Sequence, residues 1–175
     1  VLILVVGPSG AGKDTLLAAA CQMLADDPRF RFVRRVITRP ADAGGEAHEA
    51  VTEEEFATRD FALQWQAHGL RYGIPIDATE GGIVTVANVS RTIIADAAQR
   101  FPVRVIEITA SPDILAARLV TRGREAVADV VARLARRITV PDDVLVEAVV
   151  NDGSLEDGVA RFIAALNRAA SGVRE

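Results

Sequence analysis

Lysine is almost missing from this 175-residue chain, which carries nineteen arginines and one lysine, Lys13. A single cysteine, Cys21, excludes an intramolecular disulfide framework. With only two histidines, no Cys/His group has the spacing of a zinc site. Aromatic residues make up 5% of the chain, with one tyrosine and one tryptophan. No basic excess exists either: the net charge is −4, so no nucleic-acid partner is expected. The opening run Val1–Val6 is too short to span a bilayer or to form a signal core. No membrane partner is therefore expected, and the default compartment is the cytoplasm. A chain opening on Val1 rather than Met is expected to lack a few native residues.

Half of the residues are hydrophobic and 25% are charged, the composition of a globular fold with one core. No internal repeat or low-complexity tract divides the chain. Val1–Val6 is a continuous apolar run ending at Gly7, as expected of a central parallel strand buried on both faces. Further strands are expected over Arg31–Ile37, Ile83–Ala87, Val103–Thr109 and Val144–Val150. Helices are expected over Thr15–Ala25, Thr92–Arg100, Pro112–Thr121, Glu125–Arg137 and Ser154–Ala170. Thr52-Glu53-Glu54-Glu55 has the form of a capping box opening a short helix that runs to Arg59. Leu63–Tyr72 reads as two short strands around Gly69. Five apolar strands alternating with helices predict an α/β fold with a parallel sheet. The polar stretch 39–76 interrupts that rhythm as a small lobe. Cys21 and Trp65 are read as packing residues.

Gly7-Pro8-Ser9-Gly10-Ala11-Gly12-Lys13 fits G-x-x-x-x-G-K between a strand and a helix, the phosphate loop of a P-loop NTPase. Glycines let consecutive N–H groups turn inward at phosphate oxygens, and the helix start adds its positive end. Lys13 supplies a point charge for the β- and γ-phosphates, and a plain glycine turn would not need the only lysine there. Asp14 stands where Ser or Thr normally offers a hydroxyl to Mg²⁺. Either Asp14 ligates the metal directly, or Thr15 provides the hydroxyl while Asp14 acts through water. ATP and Mg²⁺ are the expected co-substrate and cofactor.

The loop and the segments after it resemble the guanylate-kinase-like kinases, and within them the ribose 1,5-bisphosphate phosphokinase family. The resemblance covers nearly the whole chain. It is carried by Gly7–Asp14, Ile37-Thr38-Arg39 with Glu46 and His48, and Trp65–Gly73. Asn88-Val89-Ser90-Arg91, Arg122-Gly123-Arg124-Glu125 and Asn151-Asp152-Gly153-Ser154 complete the set. Departures from guanylate kinases fall on the acceptor side. Asp42 replaces a second phosphate-gripping arginine, His48 replaces a tyrosine, and the carboxylate that reads guanine is absent near Leu63. An unpaired buried donor costs about 1–3 kcal/mol, so a baseless phosphorylated sugar fits this site better than GMP.

The resemblance implies that Arg122 and Arg133 belong to a lid over 122–137 that closes on ATP, and that Asn151 touches the adenine. It also implies that Arg39, His48, Tyr72, Asn88, Ser90 and Arg91 hold the acceptor. Plainer readings stand beside these. Arg118, Arg122, Arg133, Arg136 and Arg137 also suit a solvated helix face. Ser90 suits a helix N-cap, Asn151-Asp152-Gly153 a turn, Tyr72 simple packing, and His48 and His68 exposed loops. The implied activity is transfer of the ATP γ-phosphoryl to ribose 1,5-bisphosphate, giving 5-phosphoribosyl 1-diphosphate and ADP, with a link to phosphonate breakdown. Two rivals remain: a guanylate or other nucleoside monophosphate kinase, and a non-catalytic guanylate-kinase-like interaction module. A homodimer is left open.

Overall fold

The structure, a computed structural model, describes residues 1–40, 47–121 and 140–172, and the side chains of 119–121 fall outside it. Strand β1 (Leu2–Val6) lies at the centre of a five-stranded parallel sheet. Its neighbours are β7 (Val84–Asn88) and β8 (Val103–Thr109), with β2 (Phe30–Phe32) and β9 (Leu145–Val150) outermost in the order β2-β7-β1-β8-β9. The continuous apolar run of β1 has a direct cause. Ile3 and Val5 face a core shared with α1 (Lys13–Met23), α4 (Pro112–Thr121) and α5 (Leu155–Ser171) through Leu16, Leu115 and Phe162. Leu2, Leu4 and Val6 face a second core with Ile94 and Ala97 of α3 (Ile94–Arg100). All five β1 residues are buried, as a strand covered on both faces requires.

The second core also receives a smaller four-stranded sheet, in the order β4-β3-β6-β5. It comprises β3 (Val36–Ile37), β4 (Glu49–Ala50), β5 (Phe61–Ala67) and β6 (Leu70–Pro75). Strands β5 and β6 form the hairpin expected around Gly69. His68 and Gly69 both have positive φ, the backbone that a two-residue hairpin loop with the right twist demands. Helix α2 (Glu53–Ala57) opens on the expected capping box, with Thr52 and Glu55 each bonding the other's backbone N–H. Helix α5 is capped by Ser154, whose hydroxyl accepts from the Asp157 N–H.

Two expectations need correction. Arg31–Ile37 is not one strand: β2 belongs to the large sheet and β3 to the small one. The Val33 N–H still donates to Val86 of the large sheet, while the Arg35 carbonyl already accepts from Glu49 N–H of the small one. Alternating residues cannot reveal where a chain changes pairing partner. Cys21 is exposed on α1 rather than packed against the sheet. Trp65 does pack, 9% exposed and stacked on Tyr72 with ring centroids 5.4 Å apart. The expected helix Glu125–Arg137 lies outside the described residues. Among the described residues, no helix is long and apolar enough to cross a membrane.

Phe162 is fully buried where α5 meets the sheet. Phe162→Ala is expected to cost about 3–5 kcal/mol in urea unfolding. Cys21→Ala, on the exposed face of α1, is expected to stay within about 0.5 kcal/mol of the parent in the same measurement.

Candidate functional site

The turn from β1 into α1 is built by close approach. At Gly7, φ is 148° and a Cβ would lie 2.0 Å from the Ile108 carbonyl oxygen, so no side chain fits there. The chain then curls through Gly10 and Gly12, both at positive φ, into α1. The Lys13 ammonium lies back along the loop and donates to the Gly7 and Pro8 carbonyls at 2.8 and 3.0 Å. It thus sits on the phosphate side of the turn, held by carbonyls that a phosphate oxygen can outcompete.

Asn151, at the end of β9, braces this loop from behind. Its side-chain amide donates to the Ala11 carbonyl at 2.8 Å, and the residue is 6% exposed. A Cβ on Gly12 would meet its Nδ2 at 2.6 Å, and one on Gly158 its Oδ1 at 2.4 Å, so both glycines make room for the brace. The backbone carbonyl of Asn151 accepts from Arg118 at 3.0 Å, and the same guanidinium reaches the Gly10 carbonyl at 3.4 Å. Next to this brace, Gly10, Gly12, Thr15, Arg118 and Gly153 line an open cleft of about 370 Å³. The sequence pattern assigned Asn151 to adenine and left Arg118 undecided. The structure gives both a hold on the phosphate loop, which no local spacing encodes.

The acceptor-side residues converge from the small sheet. Thr38 is pinned to β6: its N–H donates to the Arg71 carbonyl, and its hydroxyl accepts from the Arg71 N–H. Arg39 follows directly. The parallel pairing of β3 with β4 brings it to His48 across nine residues. The Arg39 guanidinium lies 3.2 Å from His48 Nδ1, and His48 Nε2 lies 3.3 Å from the Arg39 carbonyl. A guanidinium only donates and a carbonyl only accepts, so both contacts are satisfied by a neutral imidazole carrying its proton on Nε2. Arg39 Nε is buried, and no described residue accepts its proton.

Arg35 is the residue that sequence reasoning missed. The sequence places it inside the single strand expected over Arg31–Ile37 and gives it no role of its own. At the crossover between the sheets its guanidinium instead lies 5.3 Å from the Tyr72 ring centroid. Burial pushes it down to about 10; Asp14 and Tyr72 pull it back up, and Arg39 adds to the depression. Arg35 stays protonated at neutral pH. It also couples the phosphate loop, through Asp14, to the small sheet, through Tyr72 and Arg39.

The remaining predicted residues fall in distinct places. Asn88, 7% exposed at the end of β7, donates its amide to Asp14 Oδ1 at 3.0 Å. Ser90 caps the 3-10 turn Arg91–Ile93, accepting from Thr92 N–H, which is the plainer of its two readings. Arg91 pairs with Glu107 of β8 at 3.1 Å. Tyr72 is buried and stacked, so packing accounts for its ring. His68 is exposed in the hairpin turn. Arg122, Arg133, Arg136, Arg137, Asp42 and Glu46 lie outside the described residues.

Arg35 thus brings one cation of the small sheet within electrostatic reach of the phosphate loop at Asp14. Asp14 and Thr15, both exposed in the first turn of α1, are oxygen donors of the kind Mg²⁺ prefers, and so they fit that ion.

A family model described as an AAA domain matches residues 2–141. The chain is 51% identical over 171 residues to the ribose 1,5-bisphosphate phosphokinase PhnN of Acidiphilium cryptum, covering 95% of this chain and 92% of that protein. It is 45% identical over 178 residues to the protein of the same name from Agrobacterium fabrum, covering 97% of each. Among solved structures, the guanylate kinase of Anaplasma phagocytophilum superposes with a TM-score of 0.62 at 18% identity, over 97% of this chain and 86% of that one. That likeness is one of fold. Identity near one half over almost the full length of both proteins is more specific, and the chain belongs to the AAA-domain family and to the ribose 1,5-bisphosphate phosphokinases.

Proposed function

We propose that this chain is a kinase that transfers the γ-phosphoryl group of ATP to the 1-phosphate of ribose 1,5-bisphosphate. A bond forms between an acceptor phosphate oxygen and the γ-phosphorus, and the bond from that phosphorus to the β-bridging oxygen breaks. The products are 5-phosphoribosyl 1-diphosphate and ADP. The observation that carries this reading is a pair of arginines at the small sheet, Arg35 within electrostatic reach of both Asp14 of the phosphate loop and Arg39. The buried Arg39 Nε, with no described acceptor, suits a phosphate oxygen. The sequence identity to proteins named for this activity supports the same acceptor.

The attacking oxygen is already ionised at neutral pH, so no general base is needed. Catalysis rests on alignment and on neutralising charge around the group in flight. Loop N–H groups and Lys13 hold the β- and γ-phosphates. Asp14 and Thr15 would hold Mg²⁺, whose charge offsets that on the phosphates. Arg35 and Arg39 grip the acceptor phosphate, with neutral His48 orienting Arg39. Stretch 39–76 acts as the acceptor lobe, with Tyr72, Ser90 and Arg91 around the sugar. By the family resemblance, Arg122 and Arg133, outside the described residues, act on the ATP phosphates. Such an enzyme would work in the cytoplasm.

Phosphorus NMR of the chain with ATP and ribose 1,5-bisphosphate is expected to show the diphosphate resonances of the sugar product. A preparation that ignores the sugar and converts GMP to GDP overturns the acceptor assignment. Lys13→Met is expected to lower kcat by about 10²–10³-fold with an unchanged circular dichroism spectrum. Arg35→Ala is expected to raise the acceptor KM by about ten- to a hundredfold, the loss of one or two charged hydrogen bonds, and to leave the KM for ATP nearly unchanged. Arg35→Lys, which keeps the charge and loses the fork, is expected to fall between the two in the same steady-state assay.

A further inference from the structure

Phosphate-loop NTPases commonly hold Mg²⁺ with a hydroxyl immediately after the loop lysine and a carboxylate from a separate motif. This chain has a carboxylate in the first place, Asp14. At the end of β7, the strand hydrogen-bonded beside β1, it has an amide, Asn88, in register with Val5. The two side chains meet: Asn88 Nδ2 donates to Asp14 Oδ1 at 3.0 Å.

We propose that Asp14 and Asn88 are a transposed pair. The single carboxylate for the metal sits on the loop, and Asn88 is the positioning residue that orients it. This rests on reading the loop as an MgATP site, but not on the identity of the acceptor.

Three observations carry it. Asp14 lies in the exposed first turn of α1, where an unsupported carboxylate samples several rotamers. Asn88 is 7% exposed at the end of a central strand, and the following Val89 N–H is bonded to the Val5 carbonyl, so its donor is held rigidly. The amide occupies one lone pair of Oδ1, and Oδ2 can still face the cation. An ionised aspartate at 88 only accepts, so it would have no donor for Asp14 Oδ1 and would leave that carboxylate without its support. A neutral donor at 88 is therefore the chemical complement of an acid at 14, and the pair keeps the total charge at one.

The experiment measures affinity for a fluorescent ATP analogue by equilibrium titration, with and without Mg²⁺ and with no acceptor present. The parent protein, Asp14→Ser, Asn88→Asp and the double variant D14S/N88D are compared, and thermal melting confirms that each is folded. Each single change is expected to weaken Mg²⁺-dependent binding by about tenfold or more, with metal-free binding little altered. The double variant, which restores the usual hydroxyl-and-carboxylate arrangement, is expected to recover to within a few-fold of the parent. A double variant whose loss equals the two single losses combined overturns the proposal. So does Asn88→Leu retaining the parent's Mg²⁺ dependence, or a parent protein whose ATP affinity does not respond to Mg²⁺. A parent that binds MgATP normally but fails to phosphorylate the sugar refutes the assigned acceptor and leaves this pair standing.

Discussion

The hydrogen bond from the Asn151 amide to the Ala11 carbonyl is the constraint on which the rest of the site depends. A phosphate loop works only if its N–H groups point inward before the ligand arrives. Short glycine-rich backbone does not hold such a shape by itself, because glycine has the most conformational freedom to lose. Here the loop is clamped from three directions. Asn151 holds its middle, Arg118 reaches Gly10, and the Ile108 carbonyl presses on Gly7 so closely that only hydrogen fits between them. These braces come from α4, β8 and the end of β9, elements far from the loop in sequence. The main parallel sheet, with α4 beside it, is thus the device that gives the seven-residue stretch Gly7–Lys13 a single conformation.

On the acceptor side the logic differs. The small sheet brings Arg35 within electrostatic reach of Asp14 on the loop, and Arg39 near enough to oppose its charge weakly. Arg35 carries the cost of burial and of its neighbour Arg39, partly offset by Asp14. On the proposed reading, an anionic acceptor beside Arg35 would add to what Asp14 and Tyr72 already supply against its burial.

Much of this was legible in the residues. A fully apolar six-residue opening, the glycine–lysine spacing, the Thr52/Glu55 capping box, Ser154 as an N-cap and the hairpin at His68-Gly69 are local signals, and each has a local physical cause. What stayed hidden is non-local. Arg35 reads as one more arginine until β2 and β3 are seen to part at residues 33–35 and to join different sheets. Asn151-Asp152-Gly153 has the composition of a turn. Only its placement beside Gly12 and Gly158, two glycines 146 residues apart, turns the asparagine into a brace. Cys21 falls on the helix's exposed side because the α1 residues that are buried are Leu16 and Ala20, a stripe too narrow to include its neighbour.

Strand β1 has one more consequence. Its odd-numbered side chains, Ile3 and Val5, belong to the layer that carries the ATP loop, and its even-numbered ones, Leu2, Leu4 and Val6, to the layer under the small sheet. Five consecutive residues therefore divide their allegiance between the two halves of the reaction. Drift in one set reshapes the bed of the phosphate donor, and drift in the other that of the recipient. A lineage could retune its choice of recipient from beneath, through the even positions, while the machinery that handles ATP stays as it was.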